Sequence, residues 1–203
     1  MQNTQSFLSL VKGQTFTYPA FRALQQELFD ANRTSGPVQD EWLVAYSKAN
    51  WQRWQRIEEK YQPSEALVQA LAAVKRPLTW LLITEAWCGD AAQLTPFMGR
   101  LAAESKWIDL KIVLRDENTG LMDQFLTNGG RAIPMLVVLD RETGDFIGKW
   151  GPRPEALQEV VAQLKADAAT KDDLIAKVAQ WYAQDKLKNT EAEFVTQLKE
   201  WGS

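Results

Sequence analysis

The stretch from Leu78 to Ala91 constrains the fold more than any other part of the chain. It begins with a short, nearly continuous apolar run, Leu78–Thr84, which is typical of a strand covered on both faces. A turn follows, and then the start of a helix that carries Pro96 in its second turn. Cys88, the only cysteine of the chain, lies at this strand-to-helix corner. Any covalent chemistry that the chain performs through sulfur must therefore take place there.

Downstream of this strand the chain alternates between helical and extended patterns. The apolar spacing predicts a helix over 90–104, a strand over 110–114, a helix over 120–127, a strand over 134–139 and a hairpin strand over 146–150. This order predicts an α/β architecture: a mixed four-stranded sheet with two or three parallel strands and an antiparallel hairpin strand, flanked by helices.

Helical patterns continue on both sides of this core. Upstream, helices are predicted over 16–29, from Asp40 to about Tyr61 with a break near Asn50, and from Ser64 onwards. Downstream, a helix over 154–166 precedes two further helices, and Thr190 and Glu193 have the spacing of a capping box. We therefore divide the chain into a helical N-terminal extension (1–63), an α/β core (64–168) and a C-terminal helical extension (169–203).

The composition excludes several classes of function. Its 203 residues are enough for one domain with elaborations, and the net charge of −3 argues against a general nucleic-acid binder. The absence of histidine excludes Ser-His-Asp and Cys-His catalysis and, with one cysteine, argues against a zinc site, so we expect no metal. No apolar run reaches the roughly 20 residues that cross a bilayer. Because the start also lacks a basic segment before an apolar one, we expect no signal peptide, no membrane partner and a cytoplasmic location.

Aromatic and basic residues alternate in the segment Trp51-Gln-Arg53-Trp54-Gln-Arg56. A nucleic-acid interface would stack bases on the tryptophans and bind phosphates with the arginines. The alternative is an amphipathic helix with its tryptophans inward, which we favour because Trp51 and Trp54 are three residues apart and acidic residues follow.

The residues Trp87-Cys88-Gly89-Asp90-Ala91, with Pro96 eight residues after the cysteine, resemble the active-site helix of thioredoxin. Arg131-Ala-Ile-Pro134, directly before a strand, resembles the cis-proline loop of the same family, and Gly151 stands where such proteins carry a glycine. The resemblance covers about Leu78 to Leu164 and implies a thioredoxin-like fold. The helical extensions resemble those of a bacterial group within the family.

Two positions depart from the family pattern. Ala91 stands where thioredoxins carry the second cysteine, and Leu82 stands where they carry a buried acid that helps to deprotonate it. The resemblance therefore implies that a dithiol cycle cannot run within one chain.

The resemblance also implies a substrate groove around the cysteine. Its lining would be formed by residues flanking the cysteine and by the proline loop: Trp87, Gly89, Asp90, Ile133 and Pro134. Pro134 could instead mark only a tight turn, and Cys88 could be an inert apolar side chain. We expect the helix N-terminus to lower the pKa of Cys88 modestly, against the opposing charge of Asp90.

Two hypotheses of function follow. In the first, Cys88 is the catalytic residue of a monothiol redox protein: it forms a mixed disulfide with a protein or a low-molecular-weight thiol, and an external thiol resolves it. No bound cofactor is expected, and glutathione is the candidate co-substrate. In the second, the fold is a protein-binding module without redox turnover. A peroxidase function is a weaker hypothesis. Peroxiredoxins carry a threonine or serine three residues before the reactive cysteine, and this chain has Glu85 at that position. The oligomeric state is left open.

Overall fold

Four strands form a mixed sheet in the computed structural model, which describes residues 7–203. In chain order they are β1 (Leu78–Thr84), β2 (Ile108–Leu114), β3 (Met135–Asp140) and β4 (Phe146–Trp150). The order across the sheet is β2-β1-β3-β4, with β1 and β2 parallel and the other two pairs antiparallel. The predicted mixed four-stranded sheet is therefore confirmed, with two parallel strands.

Helices flank this sheet. The described residues form eight α-helices: α1 (Tyr18–Asp30), α2 (Glu41–Lys60), α3 (Glu65–Ala73), α4 (Ala91–Ala103), α5 (Thr119–Met122), α6 (Glu155–Ala166), α7 (Lys171–Asp185) and α8 (Lys188–Trp201). Residues 1–6 lie outside the described residues. They belong to the predicted N-terminal extension, and they include the start of the chain, where we expect no signal peptide. No helix within 7–203 is long and apolar enough to cross a membrane.

The alternating side chains of β1 divide the core into two layers. All seven residues of β1 are buried. Trp80 and Leu82 pack into the larger apolar cluster, whereas Leu81 and Ile83 pack into a second cluster on the opposite face. Successive side chains of the strand point to opposite faces, and both faces are buried. The sequence of the strand is therefore apolar at nearly every position instead of alternating between apolar and polar residues.

The C-terminal helix α8 completes the larger cluster. Its apolar face buries Phe194, Leu198 and Trp201, and the Phe194 ring lies 5.8 Å from the ring of Trp80 and 5.0 Å from that of Trp150. The sheet thus uses the C-terminal extension as part of its own core. The amphipathic interpretation of α2 is also confirmed, because Trp51 and Trp54 are 3% and 0% exposed.

Several predicted boundaries were wrong. The helix α2 runs unbroken through Asn50, because the Asn50 side chain binds the backbone of another segment instead of its own. The predicted capping box at Thr190 lies inside α8, where a left-handed Leu187 precedes the helix. A capping box is present instead at the start of α7, between Thr170 and Asp173.

The remaining differences are local. Phe16 lies outside α1 and forms a bridge with Ile112 of β2, because the side chain of Thr17 caps the helix after it. The predicted helix over 120–127 is only the short α5 followed by a 3-10 turn, Asp123–Phe125. The strand β2 begins two residues earlier than predicted because Leu78 at the start of β1 pairs with Ile108.

Candidate functional site

Cys88 lies where β1 ends and α4 begins. Its backbone N–H donates a hydrogen bond of 3.2 Å to the carbonyl of Glu85, which closes the turn. The backbone N–H of Ala91, at the first position of α4, lies 3.5 Å from the Cys88 sulfur and donates to it. On the other side, the thiol donates to the carbonyl oxygen of Ile133 over 3.3 Å. The sulfur is therefore held between a helix N-terminus and the loop before β3.

The loop before β3 contains a cis peptide bond between Ile133 and Pro134. Gly151, which follows β4, packs directly against it with φ of +125°. A Cβ atom at Gly151 would lie 2.4 Å from the carbonyl oxygen of Pro134. Only glycine fits both this backbone conformation and this close approach.

Asp90 is buried beside the cysteine and makes contacts that sequence reasoning missed. Its carboxylate is 2.6 Å from the guanidinium of Arg153 and accepts a hydrogen bond of 2.9 Å from the phenol of Tyr182. Burial raises the pKa of the Asp90 carboxyl, while Arg153 and Tyr182 act to lower it. Asp90 therefore links the cysteine turn to the segment after β4 and to α7, instead of capping α4 with its side chain.

The environment of Cys88 favours the thiol over the thiolate. The side chain is 6% exposed, and burial, followed by the negative charge of Asp90, raises its pKa to about 12. The backbone N–H groups of α4 and the guanidinium of Arg153 lower the pKa but do not offset burial. The expected modest lowering of the Cys88 pKa is therefore wrong, because the argument from the helix N-terminus did not include the burial.

Apolar residues occupy both positions at which thioredoxins carry the second cysteine and the buried acid. Ala91 is 1% exposed and Leu82 is 0% exposed. A different buried acid, Glu85, lies three residues before Cys88 and was missed as a structural element. Its carboxylate accepts hydrogen bonds from the hydroxyl of Ser35 and, over 2.8 Å, from the backbone N–H of Asp116.

The Glu85 carboxyl joins two loops, the one before α2 and the one after β2, to the cysteine turn. Ser35 also accepts a hydrogen bond of 2.8 Å from the backbone N–H of Ala86, so the loop before α2 is tied to the turn at two points. Burial raises the pKa of Glu85 to about 7, although Ser35 and Asp116 act to lower it through their hydrogen bonds. This group therefore titrates near neutral pH.

A groove of about 320 Å³ opens beside the cysteine. We call it the cysteine groove; its walls include Trp42 and Tyr46 of α2, Lys171 of α7 and five of the six predicted site residues: Trp87, Cys88, Gly89, Asp90 and Ile133. The sixth, Pro134, lies next to Ile133 across the cis bond and does not itself form the wall.

The cysteine groove is aromatic and basic. The guanidinium of Arg115 lies over the Trp87 ring, 4.6 Å from its centre, and the ammonium of Lys171 lies 4.0 Å from the centre of the Trp42 ring. Arg115 also pairs with Asp116. Lys171, by contrast, forms no salt bridge within residues 7–203.

The helix α2 fixes the position of the turn. The Asn50 side chain donates a hydrogen bond of 2.9 Å to the backbone carbonyl of Trp87. No group of three or more Asp, Glu or Cys side chains among the described residues is arranged to hold a metal ion. The groups available at this site are one thiol, the Asp90–Arg153 ion pair, an aromatic wall and the cations Arg115 and Lys171.

Comparison with known proteins identifies the family of the chain. A family model described as Thioredoxin matches residues 36–169, which is more than half of the chain. The chain belongs to the thioredoxin family. The match includes α2 and the whole sheet, so it extends upstream of the region in which the sequence resembles thioredoxin. The predicted thioredoxin-like fold is confirmed. No curated protein matches the chain significantly.

Two solved structures are similar to this thioredoxin-family chain. One is an HIV epitope-scaffold, with 20% sequence identity and a TM-score of 0.50; the alignment covers 84% of this chain and 94% of the scaffold. The other is a protein of unknown function from Pseudomonas aeruginosa, with 24% identity and a TM-score of 0.45, covering 75% of this chain and 93% of that one. At these identities the likeness concerns the fold alone.

Proposed function

We propose that this thioredoxin-family chain is a protein-binding module whose cysteine groove receives an extended segment of a partner protein without redox turnover. The observation that carries the proposal is the state of Cys88: the thiol is 6% exposed, donates to the carbonyl of Ile133, and has a pKa raised to about 12. At neutral pH such a thiol is protonated, and the thiolate is the nucleophile in disulfide exchange.

The lining of the cysteine groove supports a preference for aromatic and acidic segments. Trp42 and Trp87 line the groove, each with a cationic side chain against its ring, and Trp42 is 44% exposed. Large exposed aromatic side chains are enriched at the energetic centres of protein interfaces. The ammonium of Lys171 has no carboxylate partner among residues 7–203 and would pair with an acidic side chain of the segment.

Selection of displayed random peptides on the immobilised protein tests this proposal. A selected synthetic peptide is then titrated against wild type, Cys88→Ser, Trp42→Ala and Lys171→Glu by fluorescence anisotropy. We expect Cys88→Ser to bind within about twofold of wild type, and the two groove variants to lose about tenfold, which is 1.4 kcal/mol. Lys177→Glu, on the same helix but outside the groove lining, is the matched control for charge.

The proposal fails if the selected peptides bind all the variants equally, or if their binding depends on the Cys88 sulfur and survives as a covalent adduct.

A reducing compartment suits the proposed role, because the one cysteine of the chain is a free thiol. We therefore place the protein in the cytoplasm as part of the same proposal.

The monothiol redox reaction is the second candidate. It is favoured by the position of the sulfur at the N-terminus of α4, 3.5 Å from the Ala91 N–H, and by its place in the groove wall. In this reaction the Cys88 thiolate attacks the sulfur of a glutathione adduct or protein disulfide, a mixed disulfide forms, and the displaced thiolate leaves. An external thiol then resolves the mixed disulfide and restores Cys88. Release of glutathione from a glutathionylated peptide by wild type, but not by Cys88→Ser, would support it.

A further inference from the structure

A second cavity lies between α2, α4 and the junction of α7 with α8, with a lining largely different from that of the cysteine groove. Its volume is about 530 Å³. We call it the basic cavity, because four cationic side chains line it: Arg53, Arg56, Lys60 and Lys186. Cavities of this volume are in the range that holds small organic ligands.

Three of the four cations lie on one face of α2. Arg53, Arg56 and Lys60 are separated by three and four residues, so their side chains project in nearly the same direction. They extend over two turns, roughly 10 Å along the helix axis. Lys186, directly after α7, lines the same cavity. The positive charge of the lining therefore comes from two separate segments of the chain.

These cations are not neutralised by carboxylates. None of the four forms a salt bridge with a residue in 7–203. Arg53 donates a hydrogen bond of 2.5 Å to the amide oxygen of Asn50, which is uncharged. The one acidic residue of the lining, Glu191, already accepts hydrogen bonds from the phenol of Tyr61 and the backbone N–H of Ser64.

The local charge is opposite in sign to that of the whole chain. Four cations and one carboxylate give the lining a formal charge of +3, whereas the chain carries −3. Concentrating unpaired positive charge in a concave site of an acidic protein costs free energy unless an anion occupies it, and it raises the local concentration of anions.

The rest of the lining is apolar or aromatic. Ile57 and Tyr61 of α2 and Ala179, Ala183 and Leu187 of the C-terminal helices form it. The backbone at the rim is also unusual, because Lys186 and Leu187 are consecutive non-glycine residues with φ of +54° and +67°. Such conformations cost free energy and concentrate at ligand sites and switches.

We propose that the basic cavity binds a small organic molecule that carries a diphosphate group. A diphosphate carries about three negative charges at neutral pH, which matches the +3 of the lining. The planar guanidinium groups of Arg53 and Arg56 suit paired phosphate oxygens, and the apolar wall suits the organic body. This inference does not depend on the function proposed for the cysteine groove.

A bound ligand would also contact the network behind the cysteine. Tyr182 lines the basic cavity, and its phenol donates to Asp90 next to the cysteine groove. Gln93, one turn into α4, lines the same cavity. The hydrogen bond between Tyr182 and Asp90 therefore connects the two sites.

Isothermal titration calorimetry of the full chain with ADP and with inorganic pyrophosphate tests this proposal, with adenosine as the uncharged control. We expect saturable binding of both anions and none of adenosine at the same concentration. The double variant Arg56→Glu, Lys60→Glu is expected to bind each anion at least about tenfold more weakly. Both side chains are exposed, so these changes leave the core intact.

The control for net charge is Lys177→Glu combined with Lys165→Glu, two exposed lysines outside the cavity lining. This pair changes the charge of the chain by the same amount and is expected to keep the affinity within about twofold. The proposal is overturned if neither anion binds saturably, or if the two double variants weaken binding equally, which would indicate only a general charge effect.

Discussion

The phenol of Tyr182 donates a hydrogen bond of 2.9 Å to the carboxylate of Asp90, across a sequence separation of 92 residues. Both residues are buried, at 5% and 6% exposure. The same carboxylate binds Arg153, which follows β4. The helix α7 of the C-terminal extension thus forms part of the cysteine site, although the sequence resemblance stops before it.

Removing the hydroxyl group of Tyr182 should destabilise the protein measurably. In Tyr182→Phe the ring still fills its place, but the Asp90 carboxylate loses one donor in a buried setting. Hydrogen bonds to charged groups contribute about 1.5 to 3 kcal/mol, so we expect a loss of about 2 kcal/mol in the free energy of unfolding by urea denaturation. Combining the change with Asp90→Asn in a double-mutant cycle should show strong coupling, and additive effects would contradict the contact.

The reactivity of Cys88 should respond to Asp90. Because burial and the Asp90 charge raise the thiol pKa to about 12, iodoacetamide should alkylate the native protein far more slowly than a free cysteine at pH 8. In Asp90→Asn the repulsion is lost while Arg153 remains, so we expect the alkylation rate to rise about tenfold, corresponding to about one pKa unit. The rate in urea is the reference, and equal native and unfolded rates would contradict the burial of the thiol.

Local sequence signals identified most of the fold. The nearly continuous apolar run of β1 predicted both of its boundaries, because a strand buried on both faces has apolar residues at most positions. The helix starts predicted at Asp40 and Ser64 are confirmed, because each side chain caps its helix by accepting a hydrogen bond from a backbone N–H three residues later. These features depend on neighbouring residues, which a single sequence displays directly.

The residues around the cysteine depend on contacts that the sequence does not display. The ring of Tyr182 packs into the larger apolar cluster, but nothing local in the sequence reveals that its hydroxyl reaches Asp90. Glu85 was considered only as a departure from a peroxiredoxin pattern, although its burial and its Ser35 partner make it structural. The error in the Cys88 pKa has the same origin, because the burial comes from distant segments.

Stability should fall as the pH rises through neutrality because of Glu85. Its pKa is about 7 in the folded protein, above its ordinary value of 4.5, so between these pH values the folded state binds a proton that the unfolded state has lost. The resulting stabilisation is present at low pH and is lost as the pH rises through about 7. The pKa difference corresponds to about 3 kcal/mol.

The variant Glu85→Gln isolates this effect. Glutamine keeps the acceptor for the Asp116 N–H and cannot ionise, so the decline in stability between pH 5 and pH 8 should be reduced by about 2 to 3 kcal/mol relative to wild type. Urea denaturation at each pH measures it, and Glu142→Gln, at an exposed turn, is the control. An unchanged slope in Glu85→Gln would show that another group controls the pH dependence.

Gly89 and Tyr46 set the shape of the cysteine groove by direct contact. A Cβ atom at Gly89 would lie 2.2 Å from the Tyr46 hydroxyl oxygen and 3.1 Å from the ring carbon that carries it. In Gly89→Ala we therefore expect the tyrosine to be displaced and the free energy of unfolding to fall by about 1 to 3 kcal/mol, as for other overpacked sites. Tyr46→Phe removes the nearer atom, so the double variant should recover part of that loss, as measured by urea denaturation. If Tyr46→Phe gives no recovery, the cost of Gly89→Ala comes from the backbone of the turn and not from this contact, and the groove wall is set by the turn alone.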